Sequence, residues 1–102
     1  MDRIMQIELI QQQRRVAWRE LQVSTDKFLQ AERLFDWRTE KIKARRGHGP
    51  DDPLTVEEVI DRKNDEQCQT ALHDCRYHAQ RMQAFGALHQ AAVAELSLIR
   101  ES

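Results

Sequence analysis

Gly47-His48-Gly49-Pro50-Asp51-Asp52-Pro53 is the one stretch of this chain with the chemistry of a loop. It holds four of the five glycines and prolines in 102 residues. Gly47 stands where a helix closes on a left-handed residue, and Pro50 follows three residues later. Upstream, the chain runs from Arg3 to Arg46 with neither glycine nor proline; downstream, the only one is Gly86. A β-sandwich or barrel needs a turn every ~8–12 residues, so β-rich folds are excluded. The sequence predicts an all-α protein: helix one at about 3–46, a loop at 47–54 and helix two at about 55–100. One turn between two helices of nearly equal length makes an antiparallel, coiled-coil-like hairpin, read as a single domain over residues 1–102.

The start of helix two carries the most specific local signal. Thr55 and Glu58 have the spacing of a capping box, each side chain satisfying a backbone N–H that the helix leaves orphaned. From there to Ile99 the apolar pattern is close to a strict 4-3 repeat: Asn64, Cys68, Ala71, Cys75, His78, Met82, Phe85, His89, Ala92, Leu96 and Ile99. Helix one repeats less cleanly. Trp18, Leu21, Phe28, Phe35 and Ile42 follow steps of three, seven, seven and seven, while Gln11, Arg14, Glu32 and Thr39 interrupt the seam. Near the N-terminus, Ile4, Met5, Ile7, Leu9 and Ile10 are apolar nearly all round. That segment reads as a separate short helix or a surface that a partner covers.

Two helices meet along one narrow line, so a lone hairpin cannot bury Trp18, Phe28, Phe35 and Phe85. The expectation is a homodimer of hairpins forming a four-helix bundle. Its interface and core residues are Trp18, Leu21, Phe28, Phe35, Ile42, Cys68, Ala71, Cys75, His78, Met82, Phe85 and Leu96. His78 and His89 lie on that seam. Protonating both there would place like charges in an apolar contact and weaken association in acid.

Composition narrows the function. The net charge is −1, charged residues make up 32% and only six residues are aromatic. This suits long solvated helices and does not suit an enzyme with a deep apolar pocket, nor a globally basic nucleic-acid binder. No apolar run is long enough to span a bilayer. No secretory leader is evident, so a cytoplasmic location without membrane contact is expected. Cys68 and Cys75 are two helical turns apart, too far to pair within one helix. Serine occurs only at 24, 97 and 102, and no nucleophile elbow or phosphate-cradling glycine loop is present. The acids Glu57, Glu58 and Asp61 read as a helix-start feature. Cys75 and His78 could share one metal ion, but Cys68 and His89 are each more than a turn away and helix one supplies no further soft ligand. No catalytic residue, metal or cofactor is therefore expected.

Two surfaces stand out as contact candidates. One is the basic run Arg38, Lys41, Lys43, Arg45 and Arg46 at the hairpin tip, whose only acid is Glu40. It would serve as a phosphate contact in nucleic acid, or as the counter-charge to the acid-rich segment from Asp51 to Glu66. The other is the apolar start Ile4, Ile7 and Ile10. Ala31-Glu32-Arg33 in a long helix, the glycine loop, Thr55-Val56-Glu57-Glu58 and the tail Ala94-Glu95-Leu96-Ser97-Leu98-Ile99-Arg100 resemble small helical hairpin proteins of bacteriophages. The resemblance covers roughly residues 28–100 and implies an accessory role, with no catalytic residues to carry over. If it holds, the chain acts in a bacterial host. The architecture is also similar to the two-helix stalk proteins of secretion apparatus, and to the shorter plasmid-copy-number hairpins that bind RNA. The reading is a non-enzymatic module that associates with itself and with an unidentified protein partner, the alternative being a nucleic-acid accessory protein.

Overall fold

The computed structural model describes residues 2–101; Met1 and Ser102, the ends of the expected domain, lie outside the described residues. The chain is all-helical, with α1 at Arg3–Arg45, α2 at Val56–Asn64 and α3 at Glu66–Glu101. No strand occurs among the described residues. A single second helix over 55–100 was expected, but two are present, separated at Asp65. Asp65 is extended (φ −90°, ψ 114°), and its N–H donates to the Arg62 carbonyl to close α2. Its carboxylate then accepts the Cys68 N–H at 2.9 Å, which makes it the N-cap of α3. The flanking charges suit the break. Arg62 and Lys63 sit at the negative end of the α2 dipole, and Glu66 at the positive end of the α3 dipole.

The other helix ends follow equally local rules. Gly47 adopts φ 78°, and its N–H donates to the Ala44 carbonyl while His48 N–H reaches that of Lys43. This pair of bonds is the Schellman closure, and it requires a residue comfortable in the left-handed region. At the start of α2 the capping box forms. Glu58 N–H donates to Thr55 Oγ1 at 3.2 Å, and Thr55 N–H donates to Glu58 Oε1 at 3.0 Å.

The helices divide into two compact units. One combines the chain up to Asp26 with the chain from His78 onward. There α1 and α3 run antiparallel: Arg3 donates to the Ile99 carbonyl at 2.6 Å, Trp18 faces His89, and Arg81 meets Glu20 at 3.5 Å. Ile10, Ala92 and Leu96 form its buried core, with Ile7 and Ile99 packed on them. The other unit is Lys27–Tyr77. It buries Ala31, Ile42, Cys68 and Ala71, and is closed by Arg38–Asp65 and Arg46–Asp61 ion pairs.

Burial along α1 follows a regular 4-3 repeat centred on small residues. Ile10, Ala17, Ser24 and Ala31 are buried at steps of seven, and Ile42 is buried further on. Half-buried Arg14, Leu21, Phe28, Phe35 and Arg38 fill the alternate positions. Arg14, which looked like an interruption, therefore belongs to the repeat. Small side chains at the contact line let helices approach, and the large ones flank it. On α3 the repeat is as expected from Cys68 to Ile99, with Cys68, Ala71, Ala92 and Leu96 buried. Asn64 is exposed, because the helix stops there.

Gly86 lies inside α3, and a Cβ built on it meets nothing within 4 Å. No packing within the chain asks for glycine there. Gly86→Ala is expected to raise the unfolding free energy by about 0.5–1 kcal/mol through the unfolded state and helix propensity. Urea denaturation of dilute protein checks this; a loss of stability would show that the position is crowded.

Candidate interaction surfaces

The basic tip belongs to the Lys27–Tyr77 unit, where Arg38, Lys43 and Arg46 are engaged by groups of their own chain while Lys41, Arg45 and Arg46 stay exposed. Lys43 is only 5% exposed, and its Nζ donates to the carbonyls of Pro50 (2.7 Å) and Asp52. The loop is thus wrapped around a lysine that supplies hydrogen bonds for carbonyls no helix can satisfy. Arg46 binds Asp61 at 2.7 Å. Arg38 makes a forked contact with Asp65, with Nε at 2.9 Å from Oδ2 and a terminal nitrogen at 2.8 Å from Oδ1. Lys41 sits 5.2 Å over the Trp37 ring, and Arg45 exerts a longer-range pull on Asp61.

Charge pairing shows in the titration of these groups. The hydrogen bond from Arg38 holds the Asp65 carboxyl far below the usual carboxylate range, helped by the Cys68 N–H and opposed by burial. The Arg46 bond lowers Asp61, and Arg38 and Arg46 are themselves raised by their partners. Glu58 is fully buried yet stays acidic, chiefly because the Thr55 N–H binds its charged form; His48 Nδ1 lies 3.2 Å away and adds to the effect.

Of the residues expected at the interface or core, Ile42, Cys68, Ala71 and Leu96 are buried. Leu21, Phe28, Phe35, Cys75, His78, Met82 and Phe85 are half-buried. Trp18 is 52% exposed and lies outside the seam of its own chain. Two flanking aromatics are sheltered by arginines, Arg62 over Phe35 at 5.2 Å and Arg81 over Phe85 at 5.0 Å. The apolar start divides: Ile10 is buried, Ile7 packs on the core, and Ile4 is exposed.

Among the hollows of the unit built from residues 2–26 and 78–101, two differ sharply in chemistry. The larger, about 460 Å³, runs between Leu9, Val16 and Ala17 of α1 and Phe85, Leu88 and Ala92 of α3, with Gln12, Gln13 and Glu95 at its polar margin. The other, about 340 Å³, is lined by Arg14, Arg15, Trp18 and His89. The indole and imidazole centroids there are 5.1 Å apart with a 44° tilt. His89 is thus engaged by a residue of its own chain.

Neither cysteine is set up as a nucleophile. Both are free thiols; burial raises Cys68 with further help from Asp65, and burial raises Cys75 with help from Glu32, Asp36 and Asp74. Among the described residues, no three His, Cys, Asp or Glu side chains come together as a metal site, and no helix is long and apolar enough to cross a membrane. The chain matches no protein-family model, no curated protein and no solved structure.

Sequence reasoning missed three of these arrangements. Asp65 was legible in the run Arg62-Lys63-Asn64-Asp65-Glu66, where cations give way to an N-cap residue and an acid. Lys43 as the centre of the loop had no local signal, since its partners are backbone carbonyls. The meeting of Trp18 and His89 depends on interhelical register, which the 4-3 pattern of either helix leaves open.

Proposed function

We propose that this chain is a non-enzymatic assembly module that pairs with a second copy of itself, the two copies completing a four-helix bundle. The observation that carries the reading is a second apolar stripe beside the first. On α1, Met5, Leu9, Gln12 and Val16 repeat at steps of four, three and four. On α3, Leu88, Ala91, Glu95 and Leu98 repeat at three, four and three. Its large apolar members are exposed, Leu88 at 58% and Leu98 at 68%, and several of them line the 460 Å³ hollow. Helices with one seam facing a partner and a second facing outward are what a bundle member needs.

Area favours a second copy as the occupant. The chain exposes 7492 Å². A compact folded chain of this mass exposes roughly 6,000 Å², so the excess is about 1,500 Å². A standard interface takes about 800 Å² from each partner, which this excess more than covers. Among the described residues, Ile10, Ile42 and Leu96 are the only large aliphatics that are buried. The hollow's one charged lining residue is Glu95, so a self-complementary contact across a two-fold axis brings little like charge together. The phage-hairpin resemblance implies an accessory role. At the basic tip, the engagement of Arg38, Lys43 and Arg46 within the chain leaves a weaker case for a phosphate contact.

Val16→Glu combined with Leu88→Glu tests this reading. Both side chains are exposed in the single chain, so each copy should keep its helices, while self-association weakens on the order of a hundredfold or more. Circular dichroism and sedimentation velocity on the same samples separate the two effects. Unchanged association with retained helicity would refute the proposed face.

A further inference from the structure

The structure assigns a second, separate site to the hollow lined by Arg14, Arg15, Trp18 and His89: we infer that it binds a nucleoside phosphate, with the base against Trp18 and the phosphate on the two arginines. Three observations converge. First, Arg14 and Arg15 make no hydrogen bond or ion pair among the described residues, a state they share with Arg19, Arg33, Arg76 and Arg100, but they are the two that line one hollow together with Trp18. Two adjacent guanidiniums without a counter-ion repel each other, an anion between them relieves that repulsion, and their planar forks match phosphate oxygens.

Second, the aromatic group stands where a base could meet it. Trp18 is three and four residues beyond the two arginines, so all three share one face of α1. Helical side chains lean toward the N-terminus, which carries the indole over the turn bearing Arg14 and Arg15. The ring is half exposed, although it is one of the largest apolar surfaces in the chain. His89 holds it from α3 at 5.1 Å, which fixes the platform and leaves the remaining surface to solvent. Third, the hollow of about 340 Å³ has the size of a small-ligand site. Arg14 also lines an adjoining hollow with Arg100, Ser97 and Glu101, so a phosphate chain extending that way meets one more cation and one acid.

Stacked aromatics beside a cationic track are how sequence-tolerant single-strand binders hold their ligand. The same chemistry would hold a free mononucleotide. The site lies in the unit of residues 2–26 and 78–101, not at the basic tip in the Lys27–Tyr77 unit.

The test uses the full chain with Trp37→Phe, which leaves Trp18 as the only tryptophan. Its fluorescence is followed at low salt while a thymidine 12-mer, and separately a thymidine monophosphate, is added. Quenching by the 12-mer is expected, with affinity falling as salt rises at a log–log slope of about −1.4 for two phosphates. Arg15→Glu should weaken binding tenfold or more while leaving the thermal transition in place. Arg14→Gln is the milder companion, because Arg14 is half-buried. Comparable binding of the monophosphate identifies a free nucleotide as the ligand, and binding of the 12-mer alone identifies a single strand. Either supports the site. The inference is overturned by no quenching with either ligand, by equal quenching with poly-glutamate, or by a loss of binding on Arg45→Glu that Arg15→Glu does not reproduce.

Discussion

Leu96→Ala is expected to lower the unfolding free energy by about 2–5 kcal/mol. Leu96 is 2% exposed and belongs to a core whose other buried members are Ile10 and Ala92. With so few large side chains at the centre, neighbours cannot collapse far enough to fill the space. The cavity term therefore adds to the lost transfer energy, which places the change in the upper part of that range. Ile42→Ala should be comparably costly in the Lys27–Tyr77 unit, where Ile42 is equally buried. Val56→Ala, at a residue 73% exposed, should stay within about 0.5 kcal/mol. Chemical denaturation ranks the three, and amide exchange shows where each loosens the chain. Equal losses for Leu96→Ala and Val56→Ala would mean that the described core is not the one that holds the helices.

Replacing Asp65 should be the most damaging polar change. Its backbone N–H closes α2, while its carboxylate caps α3 and takes both prongs of Arg38. Asp65→Asn keeps a side chain able to cap but removes the charge. Asp65→Ala removes both, and should cost about 1 kcal/mol more than the asparagine variant, the usual value of an N-cap. Acid should mimic the charge loss. Asp65, Asp61 and Glu58 are all held below their ordinary values in the folded chain, so each stabilises it above its unfolded pKa near 4. That contribution falls away as the pH drops through the range below 4. Melting between pH 6 and pH 2.5 should show a steep decline, with a shallower slope in Asp65→Asn. Identical slopes would remove Asp65 from the account.

The sequence made the helical class and the turn legible because both rest on local chemistry. Gly47 needs the left-handed region, and Thr55 and Glu58 sit three residues apart, so each can be read from a handful of neighbours. The break at Asp65 was obscured because the 4-3 repeat was carried back through Asn64, although the charges around it marked two helix ends. On α1, reading by bulk drew attention to Trp18, Leu21, Phe28 and Phe35. The contact line instead passes through Ala17, Ser24 and Ala31, since closely approaching helices favour small residues. The Trp18–His89 pair and the Lys43-centred loop were beyond a residue-by-residue reading. Each depends on which turn of one segment faces which turn of another.

Sedimentation equilibrium of the unmodified chain, from about 1 to 100 µM, tests the central claim most directly. The account predicts a mass that rises with concentration toward twice the 12.1 kDa of one chain and fits a single monomer–dimer equilibrium. A mass that stays at 12.1 kDa across that range would contradict it.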